Sequence, residues 1–138
     1  MIGAVVISHG ALASELLRAA EIIVGKMEGV VTVDIRPDQG MEEIHAAVEG
    51  AVRAADTGDG GLVMTDMFGG TPSNLGLTFL EADRVEVVTG VNLPMLIKLA
   101  QAKKALLFCL ANLNAGDRFQ LIRFSTESEP LFPGLVES

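Results

Sequence analysis

The chain has 138 residues, the usual size of one domain, so a single core without a linker is expected. Its 49% hydrophobic and 20% charged content excludes a disordered chain. Ten basic against eighteen acidic residues leave a formal charge of −8, which argues against nucleic acid or anionic lipid as a partner. The longest apolar run, Ala105–Ala111, falls far short of the roughly 20 residues of a spanning helix. Cys109 has no second cysteine to pair with, and no charged segment precedes a cleavable apolar one at the start. A cytoplasmic protein is expected, with Cys109 buried and inert.

Ile2–Ile7 is a β-branched apolar run ending at Ser8-His9-Gly10 and reads as a buried strand. From Ala11 to Val24, Leu12, Leu16, Leu17, Ala20, Ile23 and Val24 recur at helical spacing, and Gly25 stops that helix. Val30–Ile35 is the second strand, closed by Pro37. Met41–Ala55 carries Ile44, Ala47, Val48, Ala51 and Val52 on one face of a second helix, and His45, beside Glu42, Glu43 and Glu49, is expected in solvent. Asp56-Thr57-Gly58-Asp59-Gly60 superficially suggests calcium, lacks the remaining ligands of an EF-hand loop, and reads as a surface turn. No metal site is expected.

Gly61–Thr65 is the third strand, followed by Asp66-Met67-Phe68-Gly69-Gly70-Thr71-Pro72 and a short helix over Ser73–Leu80. Arg84–Thr89 is the fourth, ending in Gly90-Val91-Asn92-Leu93-Pro94, with a helix from Leu93 to Lys104 that accepts Pro94 in its first turn. Ala105–Leu113 fits either a helix or a strand. Arg118–Phe124 reads as a strand behind the turn Asn114–Asp117, and residues 125–138, with two prolines and no period, read as loose. The alternation implies an α/β fold of three αβα layers around a mainly parallel sheet of order 2-1-3-4, wound like flavodoxin, with Arg118–Phe124 as a candidate antiparallel fifth strand.

Ligands of such sheets gather at the carboxyl ends of the strands. With the first and third strands adjacent, His9 and Asp66 share that edge. A carboxylate that accepts one ring N–H fixes the tautomer and leaves the other nitrogen as a nucleophile. Gly69 and Gly70 let backbone N–H groups approach a ligand, Thr71 suits an N-cap, and Pro72 suits the first helical position. The helix after Gly10 starts on the same edge. Helix N-termini favour anions, so a phosphoryl group on His9 is the sharpest reading. Met64, Met67 and Met95 read as core filling near this site, with Met67 and Phe68 as an alternative exposed docking patch.

Ser8-His9-Gly10, then Thr65 to Asn74 (Thr-Asp-Met-Phe-Gly-Gly-Thr-Pro-Ser-Asn), then Gly90 to Leu96 (Gly-Val-Asn-Leu-Pro-Met-Leu) occur in an order that resembles the mannose-type IIA domain of the bacterial sugar phosphotransferase system. The likeness covers residues 1–104 and is weaker over 107–138. It implies a phosphotransferase with a phosphohistidine intermediate, active in sugar uptake or regulation and needing no cofactor. His9 would accept phosphate from HPr on Nε2 and pass it to a histidine of a IIB partner. Asp66 would orient and polarise the ring, Gly69, Gly70 and Thr71 would hold the phosphoryl oxygens, and Asn92 would support the rim. A homodimer is implied, with Arg118–Phe124 standing in for the family's crossing strand. Membrane association would come only through a IIB/IIC/IID complex. No IIB domain follows, so a stand-alone protein is expected.

Two alternatives stay open, the phosphotransfer subunit of a dihydroxyacetone kinase and a non-catalytic flavodoxin-like binding module. A histidine phosphatase would want Arg where Ser8 stands and a second site histidine, and nucleotide use lacks both of its glycine motifs.

Overall fold

The computed structural model describes residues 2–112. The chain falls into two units, one up to Ala100 and one from Gln101 onward. The first alternates strand and helix as the periods require: β1 (Gly3–His9), α1 (Leu12–Val24), β2 (Val30–Ile35), α2 (Met41–Ala55), β3 (Gly61–Thr65), α3 (Thr71–Leu77) and β4 (Val85–Thr89). α4 (Leu93–Asn112) starts in the first unit and supplies all that is described of the second. The three strand pairs are parallel, in the order β2-β1-β3-β4, and the register sets Ser8 opposite Asp34, His9 opposite Ile35, and Ile7 opposite Thr65.

Parallel neighbours need a helical crossover, and the crossovers cover both sheet faces. Successive side chains of β1 alternate between those faces. Val5 and Ile7 pack under Ile44, Val48 and Ala51 of α2 and Leu75 of α3. Ala4 and Val6 pack under Ala13 and Ala20 of α1 and Leu96 and Ala100 of α4. Burial of each large aliphatic side chain in these layers contributes about 1.5–3 kcal/mol. The same alternation sends Ser8 to the α1 side and His9 to the side of α2 and α3.

The bounds expected for α3 are corrected at both ends. α3 begins at Thr71, two residues before Ser73, because Gly70 in extended conformation takes the N-cap position and Pro72 enters a first turn where its missing N–H costs nothing. Thr71 is therefore the first helical residue, and no side chain caps the helix. α3 also stops at Leu77, short of Leu80. The ambiguous run from Ala105 is helical to Asn112, an outcome that period could not decide because the run is apolar on every side. Arg118–Phe124, the turn Asn114–Asp117, residues 125–138 and the Cys109 side chain lie outside the described residues.

The stretch after α2 is the turn its sequence suggests. Asp56 accepts the N–H groups of Gly58 and Gly60 at 2.9 and 3.0 Å and pairs with Arg84. The Gly58 and Gly60 N–H groups and the Arg84 guanidinium hold its carboxyl below the usual range. His45 is exposed, as its acidic neighbours suggest, with its ring 5.5 Å from that of Phe79. Among the described residues no helix is long and apolar enough to cross a membrane.

Candidate functional site

β1 and β3 end side by side, so His9 on the first meets Asp66 just beyond the second. The His9 side chain is 51% exposed and that of Asp66 only 8%. One oxygen, Asp66 Oδ2, accepts both the His9 backbone N–H at 2.9 Å and the ring Nδ1–H at 2.7 Å. The Asp66 N–H is itself donated to the Ile7 carbonyl at 3.2 Å, which fixes the carboxylate to the strand that carries the histidine. Burial pushes the Asp66 carboxyl up, but the His9 N–H, the ring hydrogen bond and the ring charge outweigh it and hold the group below its ordinary value. An ionised carboxylate can only accept, so Nδ1 carries a proton in this bond, and in the neutral ring Nε2 is the nitrogen that holds the lone pair.

The other flank of the ring is backbone. A Cβ at Gly70 would stand 2.8 Å from His9 Cε1 and 3.2 Å from Nε2, so only glycine lets the ring lie there. Gly69, at φ 88°, makes the turn that brings it in. Gly70→Ala is expected to fold, because the half-exposed ring can swing aside, and to loosen the 2.7 Å bond from Nδ1 to Asp66 as the ring moves. The ring nitrogen NMR spectrum beside a melting curve checks this; a folded variant with the wild-type spectrum would show that the close approach is unimportant.

The remaining predicted residues are more dispersed. Thr71 is half-buried in the first turn of α3. Asn92 is occupied in a structural task, since its Oδ1 accepts the Met95 N–H at 3.0 Å and so caps α4. Met64 is buried, while Met67 and Phe68 are 54% and 74% exposed next to Asp66. Of the methionines, the core-filling reading thus holds for Met64 and fails for Met67, which the turn after β3 lifts off the sheet.

Sequence reasoning gave no role to three polar residues near this edge, Ser8, Ser14 and Asp34. Ser8 is fully buried and its Oγ accepts the Ala13 N–H at 2.7 Å. Asp34 of β2 accepts the Ser14 N–H at 3.2 Å through Oδ1 and the Ser14 hydroxyl through Oδ2. The signal available was a charged residue at the end of an otherwise apolar strand, Val-Val-Thr-Val-Asp-Ile. Two N–H groups of the first turn of α1, those of Ala13 and Ser14, are thus engaged by the ends of β1 and β2.

A family model described as the phosphotransferase system fructose IIA component matches residues 3–108. The chain belongs to this family. The mannose-specific EIIAB component of Escherichia coli K12 is 32% identical over 103 residues, covering 74% of this chain and 32% of that protein. This IIA chain thus spans about a third of the length of that relative. The fructose-specific EIIA component of Bacillus subtilis is 28% identical over 118 residues, 83% of this chain and 81% of the other. Among solved structures, the IIA protein associated with the fucose utilization operon of Streptococcus pneumoniae superposes with a TM-score of 0.67 at 29% identity, over 86% and 95% of the two chains. The mannose/sorbose-specific IIA subunit from Enterococcus faecalis gives 0.64 at 29%, over 72% and 75%.

Proposed function

We propose that this IIA protein carries phosphoryl groups on His9 Nε2, taking them from phospho-HPr and passing them to a histidine of a IIB partner. The observation that carries the reading is the Asp66 carboxylate on Nδ1, which leaves Nε2 of a half-exposed ring as the nucleophile. Membership of a phosphotransferase family supports it. As the Nε2 lone pair bonds to phosphorus, the P–N bond of the donor phosphohistidine breaks and its electron pair returns to the donor ring. The Nδ1 proton stays between His9 and Asp66, whose charge offsets the positive charge gained by the imidazole. Transfer onward is the same exchange in reverse, between like bonds, so no cofactor enters.

Backbone N–H groups of Gly69, Gly70 and Thr71, with the Thr71 hydroxyl, are assigned to the phosphoryl oxygens. Asn92 supports the rim through α4. Met67 and Phe68 are assigned to docking of the partner proteins, since both are large, apolar and exposed in the turn that follows Asp66. The test is incubation with enzyme I, HPr and labelled phosphoenolpyruvate. Acid-labile, base-stable label on His9 is expected; no label, with both donor proteins active, would overturn the reading. A homodimer is proposed on the family resemblance, and light scattering at micromolar concentration is expected to give twice the chain mass, a monomer mass rejecting it.

A further inference from the structure

We propose that Asp34 is a positioning residue for His9, acting through the first turn of α1; the proposal rests on the carrier reading above. The residue before α1, Ala11, has no side-chain acceptor, yet a helix start leaves N–H groups that need partners. They find them on two neighbouring strands. Ser8 of β1 takes the Ala13 N–H, and Asp34 of β2 takes both the Ser14 N–H and the Ser14 hydroxyl. Ser8 and Asp34 are register partners, so the two acceptors stand side by side under the helix end. A half-buried charge closing an apolar strand is costly unless hydrogen-bonded, and here both carboxylate oxygens are. The negative charge also meets the positive end of the helix.

Only Gly10 and Ala11 separate His9 from α1. Gly10 is left-handed, with φ 57°; its N–H is donated to the Ile35 carbonyl at 2.7 Å, and its carbonyl accepts the Ser8 hydroxyl at 3.2 Å. The turn after His9 is thus tied to β2 at Gly10 and, through Ser14, at Asp34. Asp66 clamps the ring from the other side. The 2.7 Å bond from Nδ1 is short and directional, so a shift of this turn by a fraction of an ångström moves Nε2 away from its donor.

The experiment uses the full chain with potassium phosphoramidate, a small donor whose P–N bond breaks with release of ammonia as the Nε2–P bond forms. Labelling rate at His9, thermal unfolding and the ring nitrogen NMR spectrum are read together. Asp34→Ala is expected to unfold cooperatively, to label about tenfold more slowly and to lose the single Nδ1–H tautomer signature. Asp34→Asn, whose amide oxygen still accepts the Ser14 N–H, is expected to return the rate to within about threefold of wild type. Ser14→Ala removes only the hydroxyl donor, is expected to slow labelling less, and serves if Asp34→Ala does not fold. A folded Asp34→Ala or Ser14→Ala with the wild-type rate and ring spectrum would overturn the proposal, as would an Asp34→Asn no better than Asp34→Ala. Wild-type protein left unlabelled at His9 would instead overturn the carrier reading, while the ring spectra of the variants would still decide the role of Asp34.

Discussion

His9→Ala is expected to lose all acid-labile phosphoryl label while keeping its fold. The sequence has one other histidine, His45, and it lies on α2 with its ring near Phe79, so no second imidazole replaces Nε2. The fold survives for a local reason. The ring is half exposed, and removing it leaves the backbone N–H of residue 9 still bonded to Asp66 Oδ2, so the buried carboxylate is not orphaned. Circular dichroism and a melting curve beside the labelling assay check both halves. Label retained on a folded variant would remove His9 from the mechanism, whatever the resemblance implies.

Asp66→Ala is the second large effect, a slowing of transfer on the order of 10²-fold, in the range of acid–base and charge contributions from one positioned group. Two losses combine in it. Nδ1 no longer has a fixed acceptor, so the proton is free to sit on Nε2 and remove the nucleophile, and the positive charge of the transferring ring goes uncompensated. An unchanged single-turnover rate would take Asp66 out of the chemistry. The same carboxylate makes a prediction about stability against pH. Its folded-state value is depressed, so its contribution is complete above the ordinary carboxylate value of about 3.9 and is lost as pH falls through the lower folded value. Asp66→Asn lacks that dependence. The gap between the urea midpoints of wild type and Asp66→Asn should therefore be widest at pH 5 and above and close under strong acid; a gap constant with pH would contradict the depressed value.

Much of this arrangement is legible in the sequence. The bounds of Val30–Ile35 and Met41–Ala55 match the expectation to the residue, because Pro37, Gly40 and Asp56 punctuate two clean periods. The pairing of His9 with Asp66 followed from the strand order, since residues at the ends of adjacent parallel strands meet. α3 was misplaced by two residues because Thr is a good cap in isolation, while the extended backbone of Gly70, pressed against the His9 ring, takes that position in the fold. Ala105–Ala111 could not be assigned because a segment apolar on every side has no period to read.

By itself the sequence determined the α/β alternation, the two faces of the sheet, and the residues that gather at its carboxyl edge. These depend on polarity repeating along one chain, which is local information. Tertiary structure alone decided the use to which single polar atoms are put: one oxygen of Asp66 serving two donors of His9, Asn92 spent on a helix cap, and Asp34 closing α1 from a different strand. Each is a contact of a few ångströms between residues distant in sequence or set by one rotamer. Hydrogen bonds of that range depend on register and direction, and no spacing of residue types encodes either.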